Sequence, residues 1–142
     1  MSRMLGDPRR DGQRADQRAP TVLVVEDEFL IAEAVADVLG RLGLNVVLAS
    51  SADEALHRLA EARDIALVFS DIRMPGSLDG LELARRLHRS APQLPVILTS
   101  ANEVGERDLN GLTFVRKPYG YADIARLVLA HLGLEKREWL TS

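Results

Sequence analysis

The sequence contains no cysteine, so the chain cannot form a disulfide, a thiolate nucleophile or a cysteine-ligated zinc or iron–sulfur site. Long hydrophobic runs are missing as well. The longest apolar stretches, such as residues 127–134, fall far short of the ~18–20 residues that cross a bilayer. The N-terminus has no apolar segment of the kind found in secretory signals. We therefore expect a cytoplasmic protein with no membrane partner.

An excess of basic residues is also absent. The 18 Lys and Arg against 21 Asp and Glu give a formal net charge of −3. Residues 1–19 hold five arginines and three aspartates, which leaves 13 basic and 18 acidic residues, a net charge of −5, on the rest of the chain. A nucleic-acid-binding domain needs a basic face to neutralise phosphates. We therefore expect no nucleic-acid partner.

The length and composition indicate one compact domain. The chain has 142 residues, of which 46% are hydrophobic and 27% charged, as in ordinary globular proteins. Residues 1–19 have almost no large apolar side chain and predict a flexible tail. We place the domain at residues 20–134 and a short C-terminal tail at residues 135–142. At this length we expect no second catalytic or DNA-reading domain.

Five short apolar runs alternate with segments of helical period. The runs are residues 21–25, 44–48, 65–69, 95–98 and 112–115. Consecutive apolar positions rich in Val and Ile are typical of strands buried on both faces. Strands that alternate with helices predict an α/β fold, a doubly wound five-stranded parallel sheet.

The helical segments differ in length. Ile31, Val35, Val38 and Leu42 form an apolar stripe that predicts the first helix. Ser51 followed by Glu54 has capping-box spacing and predicts the start of the second. Residues 101–111 are barely long enough for a crossover and contain two glycines, so we expect a fourth helix of one or two turns.

Polar residues that follow the strands predict a site at one edge of the sheet, because ligands of open parallel sheets bind at the carboxyl ends of the strands. These residues are Glu26, Asp27, Glu28, Asp71, Thr99, Ser100 and Lys117. Clustered carboxylates need a cation, and a set of oxygen ligands favours Mg²⁺. An aspartate beside Mg²⁺ can become an aspartyl phosphate. The alternative, a helix N-cap, is the preferred interpretation only for Glu28.

Four motifs resemble those of response-regulator receiver domains of two-component signalling, from about residue 21 to residue 132. They are LVVEDE at 23–28, SDIRMPG at 70–76 with DG at 79–80, PVILTSA at 95–101 and FVRKPY at 114–119. Each motif alone is weak, but four in the right order at the ends of four strands form a specific signal. The resemblance implies the flavodoxin-like receiver fold.

The resemblance also implies roles for individual residues. Asp71 matches the phosphoacceptor, Asp27 the direct Mg²⁺ ligand, and Glu26 the acidic neighbour that acts on the waters of the metal. The backbone carbonyl of Arg73 matches the third protein ligand. Lys117 matches the lysine that contacts the phosphoryl group, and its peptide bond to Pro118 is expected to be cis.

Two further positions match the switch residues of the family. Ser100 matches the switch hydroxyl, and Phe114 stands at the position of the switch aromatic. Because adjacent side chains of a strand point in opposite directions, we expect Ser100 to face the site and Thr99 to point away. Phe114 also fits a plain core role.

Two departures set this chain apart from the common family pattern. The segment of residues 76–78 holds one residue more than usual, so we expect the loop after Asp71 to bulge near the site. The short 101–111 segment puts the usual output surface in doubt. Other residues carry no functional signal: His57, His88 and His131 fall singly on separate helices. Trp139 is expected to be a packing or edge residue, with an anchor for a partner as the alternative.

We expect a single-domain response regulator that is not an enzyme. Its partners would be a histidine kinase or phosphotransfer protein and a downstream target protein. One alternative is a Mg²⁺-dependent aspartyl-phosphate phosphohydrolase similar to the haloacid dehalogenases, but Arg73 stands where those enzymes carry a second aspartate. Another is a receiver that is never phosphorylated and serves as a docking module.

Overall fold

The computed structural model describes residues 19–62, 64–109 and 112–134, apart from the side chain of Glu106. Strands and helices alternate along this part of the chain. Their bounds are β1 Thr21–Val25, α1 Phe29–Arg41, β2 Asn45–Ala49, α2 Ala52–Glu61, β3 Ile65–Asp71, α3 Gly80–Ser90, β4 Val96–Ser100, α4 Glu106–Leu109, β5 Thr113–Arg116 and α5 Tyr121–His131. The tail expected N-terminal to Ala19, the tail expected at residues 135–142 and Trp139 lie outside the described residues.

The five strands form one parallel sheet in the order β2-β1-β3-β4-β5. The predicted doubly wound architecture is confirmed. The chain starts at β1, moves outward to β2, and then crosses back over β1 to β3. The carboxyl ends of β1 and β3 are therefore neighbours at the point where the winding direction reverses, which is where such sheets bind ligands.

Helices cover both faces of the sheet. Helices α1 and α5 pack on one face, and α2, α3 and α4 pack on the other. The first face buries Val22, Val24, Val35, Leu39, Leu67, Phe69, Ile97, Ile124 and Val128, and the second buries Leu23, Val25, Ala52, Ala55, Val68, Leu83, Leu87 and Leu98. Successive residues of β1 alternate between the two lists, because strand side chains alternate between faces. This double burial explains the continuous apolar runs.

Helix α1 buries a slightly different stripe from the predicted one. Its buried residues are Ala32, Val35 and Leu39, whereas Ile31 and Leu42 are only partly buried at the margin of the same core. The buried residues are spaced by three and four positions, so the helix keeps the predicted period but directs a face centred on Val35 and Leu39 at the core.

Two helix starts depend on side-chain caps. Ser51 Oγ accepts a hydrogen bond from the Glu54 N–H at 3.0 Å, as the spacing predicts. The Glu54 carboxylate does not return to Ser51 but accepts bonds from the Ser50 N–H and hydroxyl, at 2.7 and 2.9 Å. Asp79 caps α3 in the same way through the Glu82 N–H. This cap fixes the chain where it leaves the loop after β3.

The crossover between β4 and β5 contains one helical turn, the four-residue α4, as expected. A hydrogen bond joins this turn to α3: the Arg85 guanidinium donates to the Asp108 carbonyl at 3.3 Å. Val104, Leu109 and Leu112 pack against the core on this side. The short segment is therefore anchored by a few side chains rather than by a long helix.

Candidate functional site

Three carboxylates lie together at the carboxyl ends of β1 and β3. Glu26 and Asp27 follow β1, and Asp71 is the last residue of β3. The pairing of Val25 with Ser70 sets the next residues, Glu26 and Asp71, level with each other. One oxygen from each of the three carboxylates lies within 4.8 Å of the others. The structure thus brings together the acidic residues that the sequence predicts.

Lys117 reaches this acidic group from the end of β5. Its Nζ lies 3.3 Å from Glu26 Oε1 and 3.2 Å from Asp71 Oδ2. The backbone N–H of Lys117 donates to the Ser100 carbonyl at 2.8 Å, which extends the pairing of β5 with β4 by one residue. The Lys117–Pro118 peptide bond is cis, as the resemblance implies.

The charges of the site are not balanced. Burial raises the pKa of Glu26 and the charge of Asp71 adds to the rise, while the Glu28 N–H and Lys117 act against it. Burial alone would lower the pKa of Lys117, but the negative charges of Asp71 and Glu26 outweigh burial and raise it. A lysine held in its charged form faces more than one carboxylate. The group therefore favours a further cation.

The donor set fits Mg²⁺. Every available ligand is an oxygen, and Asp27 is exposed while Glu26 and Asp71 are buried, so the group opens to solvent on one side. Mg²⁺ keeps several waters and uses one or two protein carboxylates, which suits a half-open group. The predicted third ligand, the carbonyl of Arg73, belongs to the loop that leaves β3 directly after the acidic group.

The two hydroxyls at the end of β4 lie on different faces of the sheet. Thr99 pairs with Asp71 and lines a small cavity with Asp71 and Glu26, so the expectation that it points away is wrong. Ser100 pairs with Arg116, and its Oγ accepts a hydrogen bond from the Asn102 N–H at 3.1 Å. The register of β3 against β4, which the sequence does not reveal, decides this. The switch role of Ser100 stays a prediction.

Phe114 lies in β5, half-buried on the face covered by α2, α3 and α4. It pairs with Leu98, and it packs on the same core as Leu109 of α4. Phe114 of the edge strand β5 and Leu109 of the short helix α4 thus share one hydrophobic core. The structure is compatible with both the core role and the switch role of Phe114.

The loop between Asp71 and α3 bends towards α2. Gly76 has a φ of +111°, and Ser77 Oγ donates to Asp53 Oδ2 at 3.3 Å. Gly80 closes the loop against β3, where a Cβ atom would lie 2.0 Å from the Asp71 carbonyl oxygen. The loop thus returns to the sheet close to Asp71, where the Gly80 N–H donates to the Ile72 carbonyl at 2.8 Å.

Sequence reasoning missed the part that Tyr119 plays in the site. Its ring lies 6.0 Å from that of Phe69, and it lines both the small cavity beside Asp71 and a larger cavity beside Lys117. Burial raises the pKa of the Tyr119 phenol. The only available signal was its place after Lys117 and Pro118, which implies that it lies near the site.

The histidines are remote from the acidic group. In the described part of the chain no histidine belongs to a group of potential metal ligands. His131 Nε2 lies 3.0 Å from Thr113 Oγ1, and its Nδ1 lies 2.9 Å from the Leu127 carbonyl oxygen. These contacts fix the end of α5 to β5, which is a structural role.

In the described part of the chain, no helix is long and apolar enough to span a membrane.

Curated proteins related in sequence are bacterial regulators. The probable transcriptional regulatory protein TcrX of Mycobacterium tuberculosis is 33% identical over 135 residues, which cover 92% of this chain and 56% of TcrX. Response regulator MprA of Mycobacterium avium is 34% identical over 122 residues, which cover 82% of this chain and 53% of MprA. The chain thus spans about half the length of these relatives.

Solved structures agree with this likeness. The receiver domain of NtrX from Brucella abortus superposes with a TM-score of 0.72 at 32% identity, covering 79% of this chain and 98% of that domain. A CheY-like receiver domain protein from Methanospirillum hungatei has a TM-score of 0.75 at 24% identity, with 84% and 98% covered, and shows the fold alone. The family model for the response regulator receiver domain matches residues 22–128. The chain therefore belongs to the response regulator receiver domain family.

Proposed function

We propose that Asp71 accepts a phosphoryl group and that the phosphorylated chain signals by binding another protein. The observation that best supports this is the position of Lys117 Nζ, 3.2 Å from Asp71 Oδ2 and 3.3 Å from Glu26 Oε1. The three residues come from distant parts of the sequence and meet at the carboxyl ends of β1, β3 and β5. A buried carboxylate with a cation beside it has the surroundings that an acyl phosphate requires.

The phosphoryl donor would be a phosphohistidine on a histidine kinase or a phosphotransfer protein. An oxygen of the Asp71 carboxylate attacks phosphorus, a P–O bond forms, and the P–N bond to the imidazole breaks. The imidazole leaves with the electron pair of that bond and takes up a proton. Lys117 stabilises the negative charge of the phosphoryl oxygens, so the chain contributes mainly position and electrostatics.

Asp27, Asp71 and the Arg73 carbonyl would hold Mg²⁺ directly, with Glu26 acting on its waters. When bound, Mg²⁺ supplies positive charge that offsets the charge of the transferring group. The exposed side of the group at Asp27 is where the donor approaches, because Glu26 and Asp71 are buried. Hydrolysis of the acyl phosphate by a water in line with the P–O bond returns Asp71 to its free form.

The signal would leave through the β4–α4 segment. In the structure the Ser100 hydroxyl holds the Asn102 N–H. Ser100 Oγ only accepts in this bond, so its hydrogen can be donated to a phosphoryl oxygen on Asp71, and the movement of Oγ towards that oxygen would draw it away from the Asn102 N–H and bias the loop towards a second arrangement. Phe114, which packs on the same core as Leu109 of α4, would transmit the change to the surface that the downstream protein binds.

The chain would carry out no reaction beyond its own phosphorylation and dephosphorylation. A phosphohydrolase of the haloacid dehalogenase kind needs a general acid two residues after the nucleophile, and Arg73 occupies that position. The exposed Arg86 and Arg89 of α3 both contact Glu82, and the half-buried Arg85 contacts Asp108. Together with the net charge of −3, this pairing favours a protein target over a nucleic acid.

Intact-mass analysis after incubation with Mg²⁺ and a small-molecule phosphodonor tests the proposal. We expect one added phosphoryl group on the wild type, none on Asp71→Asn, and strongly reduced yield on Asp27→Ala, because loss of a ligand weakens Mg²⁺ binding directly. Asp64→Asn is the matched control, since this exposed carboxylate lies just before the opposite end of β3. Full phosphorylation of Asp71→Asn would disprove the assignment, and an unmodified wild type would favour the docking module.

A further inference from the structure

Thr99 places a second buried hydroxyl on the face of the sheet that carries Asp71. The two residues are Cα partners across β3 and β4, and partners in parallel strands direct their side chains to the same face. Phe69 and Ile97, the pair two residues before Asp71 and Thr99 in the same strands, both pack in the core under α1 and α5. Because strand residues two apart share a face, Asp71 and Thr99 lie on that face too. Thr99 is only 2% exposed. Its hydroxyl is therefore removed from bulk water at the position beside the candidate phosphoacceptor.

A small cavity connects Thr99 to the acidic group. Its volume is about 10 Å³, and Glu26, Asp71, Thr99 and Tyr119 supply the polar part of its lining. This is the space that one water molecule needs, and a buried water is stable where several polar groups surround it. Tyr119 lines both this cavity and the larger one beside Lys117.

Both groups that face the cavity have unused hydrogen-bonding capacity. Among the described residues, no hydrogen bond engages the Thr99 hydroxyl. Lys117 binds Asp71 through Oδ2, which leaves the other carboxylate oxygen, Oδ1, without a bond in the same part of the chain. A buried hydroxyl without a partner is unfavourable, so a bridge between the two groups is favoured.

We infer that Thr99 is a positioning residue for Asp71 and that its hydroxyl holds the carboxylate through one water in this cavity. The inference rests on the proposed function, since it concerns how Asp71 attacks phosphorus. With Lys117 on Oδ2 and the bridging water on one lone pair of Oδ1, the plane of the carboxylate is fixed, and the second lone pair of Oδ1 stays open to the Mg²⁺ that Asp71 would ligate. Ser100, on the opposite face, cannot supply this contact.

Replacement of Thr99 by valine tests the hydroxyl at nearly constant shape. We expect Thr99→Val to lower the rate constant of phosphorylation by a small-molecule phosphodonor about fivefold to tenfold, the effect of losing one hydrogen bond of ordinary net strength. Thr99→Ser keeps a hydroxyl and should restore most of the rate. Thr21→Val is the matched control, because Thr21 is a buried threonine at the other end of the sheet.

Several outcomes would overturn the inference. Thr99→Val with the wild-type rate shows that the hydroxyl has no role, and equally slow Val and Ser variants show that packing matters instead. A crystal structure gives an independent readout: a water between Thr99 and Asp71 is expected in the wild type and not in Thr99→Val. Its absence from the wild type refutes the bridge, whereas a wild type that accepts no phosphoryl group refutes the proposed function.

Discussion

Gly80 lies where the loop after β3 returns to the sheet, and its lack of a side chain is a steric requirement. A Cβ atom at this position would be 2.0 Å from the Asp71 carbonyl oxygen, which belongs to the backbone and cannot move aside. We expect Gly80→Ala to lower the free energy of unfolding by about 1–3 kcal/mol, as overpacking does. Urea denaturation measures this change.

Gly40 provides the control for that substitution. It lies in α1, and a Cβ atom there would meet no atom within 4 Å. Gly40→Ala should therefore raise the free energy of unfolding by about 0.5–1 kcal/mol through helix propensity. Equal stability changes in the two variants would contradict the steric account of Gly80.

Glu26 makes stability depend on pH in a direction opposite to that of most paired carboxylates. Burial first, and then the charge of Asp71, raise its pKa in the folded chain above the ordinary value of 4.5. Its contribution to stability is fully present below the unfolded pKa and is lost as pH rises through the folded pKa. In metal-free buffer, the wild type should thus lose more unfolding free energy than Glu26→Gln as pH rises above 4.5, the ordinary pKa of the group.

Urea denaturation at a series of pH values, with a chelator present, checks this expectation. The quantity of interest is the difference between wild type and variant, because other titrating groups contribute to both curves. Parallel curves over this range would show that burial does not raise the pKa of Glu26.

Helix α4 is the element on which the proposed signalling depends. It has a single turn. Its Asp108 accepts a hydrogen bond from Arg85 of α3 and forms an ion pair with it. We expect residues 101–111 to exchange amide hydrogens faster than the rest of the domain and to slow on addition of Mg²⁺ and a phosphoryl mimic. Helix α1 should change little.

Hydrogen exchange read by mass spectrometry measures both segments in one experiment. Ser100→Ala is the informative variant, since it should bind the mimic but show a smaller change in residues 101–111. Slow exchange there without the mimic, or a change confined to α1, would place the output surface elsewhere.

The sequence was sufficient to predict the architecture of the whole molecule. Apolar runs identified all five strands because the three inner strands are buried on both faces and the edge strands β2 and β5 are half-buried. Strands β3 and β4 each extend two residues beyond the predicted run, to Asp71 and Ser100. Asp71 is polar, and a pattern of hydrophobicity cannot include it. Parallel strands bring their carboxyl ends to one edge of the sheet. For this reason the sequence could predict that four site residues lie close together: Glu26, Asp27, Asp71 and Lys117.

Details that depend on register and packing were not predictable. Thr99 and Ser100 are adjacent in sequence, and only the pairing of β3 with β4 decides which of them lies beside Asp71. Contacts between separate segments bring Gly80 close to the Asp71 carbonyl. Such contacts also place Tyr119 in the lining of the small cavity beside Asp71. Motif order carries no information on such contacts, because it records positions along the chain only.

Lys117 stands 91 residues from Glu26 and 46 residues from Asp71, and this separation governs when the site forms during synthesis. The ribosome produces both acidic residues well before the lysine that pairs with them. A nascent chain that ends within β5 has a largely complete sheet, yet its two buried carboxylates repel each other without a counterion. The counterion of the two buried carboxylates therefore becomes available only after the edge strand has emerged.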